Sequence, residues 1–78
     1  SSETVVFGTT VRLLDLESDE NKSYTLVGQE EADLKNGSIS VQSPIGRALI
    51  SHRVGDIVLV NRPVGTIEYE IQEIYFQD

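Results

Sequence analysis

Four acids, Asp15, Glu17, Asp19 and Glu20, crowd into one short polar stretch. Carboxylates spaced this way offer oxygens to a hard cation, so the string invites comparison with a calcium loop. Such a loop needs Gly at its sixth position and a closing Glu six residues later. Here the sixth position is Glu20 and no Glu closes the loop. A solvated hairpin turn is the simpler account. His52 is the single histidine, and a chain without Cys gives it no partners for a zinc site. With Arg53 it suits the C-terminal end of a helix. Glu68 and Glu70 share one face of a strand and mimic a catalytic carboxylate pair. The exposed face of an antiparallel sheet explains them more simply. No nucleophile-elbow sequence frames the serines, so no Ser-His-Asp triad is read. The glycines at 28, 37, 55 and 65 stand singly, without GxGxxG or a P-loop. The expectation is a chain without enzymatic activity, metal or cofactor.

Seventy-eight residues allow one domain with a modest core. Hydrophobic residues at 38% against 24% charged make a folding composition. No apolar stretch approaches the ~20 residues that cross a bilayer. Thirteen acids face six bases, for a net charge of −7. A nucleic-acid surface needs clustered Lys and Arg, so direct nucleic-acid binding is not expected, and an anionic membrane would repel the chain. Seven of the acids fall between Asp15 and Asp33, while Arg47, Arg53 and Arg62 fall in the second half. A basic-leaning face around residues 47–62 on an acidic body fits that asymmetry. Met is absent even from position 1. That reads as a processed product or fragment, with residues 1–3 a tag remnant or linker and residues 4–78 one domain.

These candidates must be positioned by short elements. Residues 10–16 read as a strand, with Gly8 breaking the run before them. Glu17–Lys22 is a turn, and Tyr24–Val27 returns as the second arm of an antiparallel hairpin. Gln29–Lys35 reads as a loop with a single turn of helix, and Asn36-Gly37 is a turn dipeptide. Ser38–Gln42 is a short strand. Ser43 is an N-cap candidate and Pro44 suits the first helical position. Ile45, Ala48 and Leu49 then form one apolar stripe over about two turns, with Gly46 a mild helix defect and Gly55 the stop. Asp56–Val60 reads as a strand buried on both faces. Thr66–Gln72 alternates cleanly, and the phase slip after Gln72 predicts a bulge near Gln72–Glu73. Exposed on an edge, Thr66–Gln72 would offer pairing between copies. Five or six strands and one helix too short to stand alone give an α+β domain.

The run Ile39-Ser40-Val41-Gln42-Ser43-Pro44-Ile45-Gly46-Arg47-Ala48-Leu49-Ile50 resembles the "ISVxSPIARALI" segment of the bacterial transcript-cleavage factors of the GreA/GreB family. Val6–Val11 is similar to that family's "VxFGATV", and Tyr24–Asp33 to its "YxIVGxxEAD". Val54-Gly55-Asp56 and the strand from Gly65 are similar to its "xxGDxVxV…GxxEYEI" ending. The likeness covers residues 5–76 in order, with GreA the better match of the two. It implies an FKBP-like fold, a curved antiparallel sheet of five or six strands wrapped on one helix. In the family this globular domain docks on the β′ coiled coil of RNA polymerase, at the rim of the secondary channel in the cytoplasm. An N-terminal coiled coil enters the channel, where acids at its tip promote cleavage of backtracked RNA. This sequence has no heptad segment, so none of its acids inherits that role.

The resemblance places docking at the loop leading into the helix, here Gln42, Ser43, Pro44 and Ile45, with Arg47 one turn on. Gln42 departs from the commoner Asn or Asp. Two other readings share the domain type. One is an Rnk-like polymerase-binding regulator. The other is an FKBP-type peptidyl-prolyl isomerase, for which five aromatics and no Trp are a thin supply. The expected state is a monomer, with pairing in a crystal compatible.

Overall fold

The computed structural model describes residues 3–77. Residues 1 and 2 of the expected tag or linker lie outside the described residues, and Glu3 is exposed. Five strands, β1 (Thr9–Asp15), β2 (Asn21–Val27), β3 (Ser38–Ser40), β4 (Ile57–Arg62) and β5 (Gly65–Phe76), form one curled sheet in the order β3-β2-β1-β5-β4. One helix, α1 (Pro44–Leu49), sits between β3 and β4 in sequence. Every neighbouring pair is antiparallel except β2–β3, which is parallel. The sheet is therefore mixed at that edge. The reason is the connection: residues 28–37 travel back along β2 through two single 3-10 turns, Gln29–Glu31 and Leu34–Asn36. Gly37, at φ 79°, makes the last corner.

β1 sits second from neither edge but in the centre, and its side chains alternate about the sheet. Val11 and Leu13 are fully buried, as are Leu26, Leu49 and the inward residues Ile71 and Ile74 of β5. The phase slip in β5 resolves as expected. Arg12 pairs Glu73 while Leu13 pairs Ile71, so Gln72 is the extra residue of a bulge. The slip returns Ile74 to the core face and bends the sheet toward α1.

Two strand readings change. The apolar run Ile57–Val60 is not buried on both faces: β4 is an edge strand, with Val58 and Val60 inward and Ile57 and Leu59 exposed. Thr66–Gln72 is not an edge at all, because β5 lies between β1 and β4. Strand order is a property of the whole chain, so local alternation could not assign either.

At the hairpin between β1 and β2, the Asp15 carboxylate accepts hydrogen bonds from the backbone N–H groups of Glu17 (2.9 Å) and Ser18 (3.2 Å). These bonds hold its carboxyl below the ordinary value. The acidic string is thus a turn organised by its own first residue. The N-terminal segment is tied down by Val5, which is fully buried. Its N–H donates to the His52 carbonyl and its carbonyl accepts from Ser51 N–H, both at 2.9 Å.

The helix is shorter than its apolar stripe suggests. It ends at Leu49, and Ser51 takes a left-handed φ of 73°, so the stop comes before Gly55. Gly46 is a requirement, not a defect. A Cβ there would collide with the Ser40 carbonyl oxygen and press on Val41.

Gly46→Val is expected to lower stability by about 2–3 kcal/mol in denaturant unfolding, through overpacking against backbone that cannot yield. The acid limb of stability should report Asp15. Its folded carboxyl binds protons less readily than an unfolded Asp at ~3.9. Its contribution is therefore full above that value and is lost as pH falls through the lower folded one. Asp15→Asn is expected to lower the melting temperature at neutral pH. The gap to the unsubstituted chain should narrow on acidification below about pH 4.

Candidate functional site

The five residues singled out at the start of the helix fall together on one corner of the domain, and the structure gives them different jobs. Ser43 has extended backbone and caps α1: its hydroxyl accepts from Gly46 N–H at 3.1 Å. The same hydroxyl donates to the Ser40 carbonyl at 2.7 Å. Its one donor and one of its two acceptor lone pairs are thus used inside the fold. Pro44 opens the helix and is exposed, as are Gln42 and Arg47. Ile45 is half-buried and packs on the core.

Beside this corner the curled sheet leaves a hollow of about 350 Å³. Pro44 and Ile45 form part of its wall; the buried Ile39, Val60 and Tyr69 line it from the sheet. Lys22 and Tyr24 of β2, Ile67 of β5 and Arg62 at the end of β4 complete it. A shallower hollow of about 320 Å³ adjoins it, sharing Leu34, Ile39 and Ile45. Burial pushes the Tyr69 phenol up from its ordinary value, so it stays neutral at physiological pH. Among the described residues Arg12 pairs with Glu73 and His52 meets Asp56, so neither Lys22 nor Arg62 is drawn to a carboxylate within ion-pair distance. Two cations therefore flank an apolar depression on a chain of net charge −7.

The sequence reading found the helix side of this hollow and missed its sheet side. Lys22 and Tyr24 share a strand face with the buried Leu26. A Lys on the core face of a strand was the available signal, since lysine is rarely left there without a use. The exposed Leu34 carried no such signal.

His52 and Arg53 do not serve the helix end. They lie beyond it, where the Asp56 carboxylate accepts from Arg53 N–H at 2.9 Å and meets His52 Nδ1 at 3.1 Å. The Arg53 N–H bond first, and then His52, hold the Asp56 carboxyl below its ordinary value. This pairing closes the loop that receives Val5. Glu68 and Glu70 lie on β5 opposite Leu59 and Ile57 of the edge strand, away from the hollow. Among the described residues, no group of three or more His, Cys, Asp or Glu converges on a metal position. None of their helices is long and apolar enough to cross a membrane.

Comparison with known proteins agrees with this architecture. The chain is 56% identical over 70 residues to the transcription elongation factor GreA of Pseudomonas syringae pv. tomato, covering 90% of this chain and 44% of that protein. It is 53% identical over 76 residues to GreA of Nitratidesulfovibrio vulgaris, covering 97% and 47%. Among solved structures, GreA factor homolog 1 of Thermus thermophilus superposes with a TM-score of 0.83 at 36% identity, over 96% of this chain and 50% of that one. A GreA/GreB factor from Nitrosomonas europaea gives 0.81 at 28% identity, over 97% and 63%. The chain thus spans about half the length of the curated relatives it matches. Residues 1–76 match the family described as "Transcription elongation factor, GreA/GreB, C-term". Its five-stranded curled sheet on one short helix is the fold of that domain, and the chain belongs to the GreA/GreB family of transcription elongation factors.

Proposed function

We propose that this domain is the docking module of a GreA-type elongation factor and that its partner is bacterial RNA polymerase, at the β′ coiled coil on the rim of the secondary channel. The observation that carries this reading is the hollow beside Pro44 and Ile45, apolar within and flanked by Lys22 and Arg62. An apolar side chain on an acidic helical surface suits it in both shape and charge. Exposed Pro44 stands at its edge on a rigid helix start, with exposed Gln42 and Arg47 flanking it in the chain, and recognition gains from such a fixed scaffold. Ser43 supports them from beneath and does not itself reach the partner. The domain brings no catalytic group to RNA cleavage; its role is to hold a longer factor in place. Such a partner places the domain in the bacterial cytoplasm.

The test is a titration of the chain against purified polymerase core. Saturable binding is expected. Replacing Gln42, Pro44 and Arg47 together by Ala should weaken it at least tenfold, ~1.4 kcal/mol. Absence of binding by the unsubstituted chain at the highest usable concentration would defeat the reading. Equal affinity of the triple variant would move the site elsewhere. Ser43→Ala separates support from contact: it should cost about 1 kcal/mol of folding stability through the lost cap. At a temperature where both chains are folded, it should leave affinity within about twofold, far short of the tenfold loss above.

A further inference from the structure

The two edges of the sheet are unequally protected. β3 is three residues long, and the 3-10 turns pack against it. β4 runs for six residues, Ile57–Arg62, with β5 on one side and, among the described residues, no strand on the other. It carries no Lys, no Pro and no bulge, the usual devices that keep an edge from pairing. It carries no acid either, on a chain of net charge −7. Ile57 and Leu59 are 56% and 59% exposed on its outer face.

Register fixes which backbone groups are free. The hairpin pairs Arg62 with Gly65 across a two-residue turn, and Ile71 N–H donates to the Asp56 carbonyl at 2.9 Å. By the alternation of an antiparallel ladder, Val58, Val60 and Arg62 then face β5 with their N–H and C=O groups, as the Asp56 carbonyl does, while the Asp56 N–H donates to the Arg53 carbonyl at 3.0 Å. Those of Ile57, Leu59 and Asn61 face outward along the open edge.

We infer that this edge pairs with the same edge of a second copy of the chain, β4 against β4 about a twofold axis at Leu59, joining two sheets into one of ten strands. Only an antiparallel arrangement is self-complementary about a twofold. With Leu59 opposite Leu59 of the second copy, Ile57 stands opposite Asn61, and all the outward groups find partners. The same register sets Asp56 opposite Arg62 at both ends, so opposite charges meet twice, and it sets Val58 opposite Val60 on the inner face. The exposed Ile57 and Leu59 of both copies gather side by side into one apolar strip on the outer face of the joined sheet. A register shifted by one or two residues loses the Asp56–Arg62 match. The strand is therefore complementary to itself in hydrogen bonds, apolar contact and charge together.

The test is sedimentation equilibrium of the chain over roughly 1 µM to 1 mM, where an interface of this small size should titrate. A concentration-dependent rise from 8.6 kDa toward twice that mass is expected. Amide exchange at Ile57, Leu59 and Asn61 should slow over the same range. Leu59→Lys places two like charges at the axis and should weaken association at least tenfold. Because residue 59 is exposed, its unfolding midpoint should stay close to that of the unsubstituted chain. Arg62→Glu sets like charges against Asp56 and should weaken association as well. A chain that remains at 8.6 kDa throughout overturns the inference. So does association that Leu59→Lys leaves unchanged.

Discussion

Between Ser40 and Gly46 the chain passes from sheet to helix under a double constraint. The Ser43 hydroxyl donates to the Ser40 carbonyl and accepts from Gly46 N–H, so one oxygen clasps the end of β3 to the first turn of α1. Gly46 then lies so close to the Ser40 carbonyl that no Cβ fits between them. Together these fix the position and tilt of a helix only six residues long, which has no independent stability. Leu49 reaches the core and Ile45 the hollow because of that placement. Pro44, which has no N–H to satisfy, is carried at the exposed apex with its ring locked.

The sheet answers the helix through its curvature. The bulge at Gln72 adds one residue to β5 and keeps both Ile71 and Ile74 on the inner face. A flat sheet would leave a six-residue helix covering only part of that face. Bending draws β4 and β3, the two edges of the sheet, around it. The bend is incomplete, and the remaining gap is the hollow, walled by α1 and lined by Tyr24, Ile67 and Tyr69. The recognition surface proposed here is in this sense the part of the inner face that the helix is too short to cover.

Much of this was legible in residue types. Ser43-Pro44 spelled a cap and a first helical position, and both hold. Asn36-Gly37 spelled a corner, and the slip after Gln72 spelled the bulge. What failed were properties of topology. Ile57–Val60 looks doubly buried because its apolar residues run nearly unbroken, yet β5 crosses between β1 and β4 and leaves β4 at the edge. The parallel β2–β3 pair depends on the path of residues 28–37, which no local pattern encodes. The helix stop at Ser51 was hidden because Ser seldom adopts a left-handed φ. The site was half legible for the same reason. Its helix side is contiguous in sequence, whereas Lys22, Tyr24, Ile67 and Tyr69 come together only in the closed sheet.

Charge shows how that closure alters what composition suggests. A chain at −7 should repel an acidic partner, and the basic-leaning face read across residues 47–62 is only partly realised. Arg53 lies beside the Asp56 carboxylate, which its N–H engages, and Arg47 stands on the helix. Arg62 instead joins Lys22, brought in from the acidic half by β2. Physiological salt screens charges beyond about 8 Å. An approaching surface therefore senses this local pair, and Asp15 beside Tyr69 and Lys22, more than the outlying acids of the chain. The open edge along β4 carries no acid of its own. One uneven charge distribution thus leaves two places where the domain can be approached, and the fold gives each its own complementary shape.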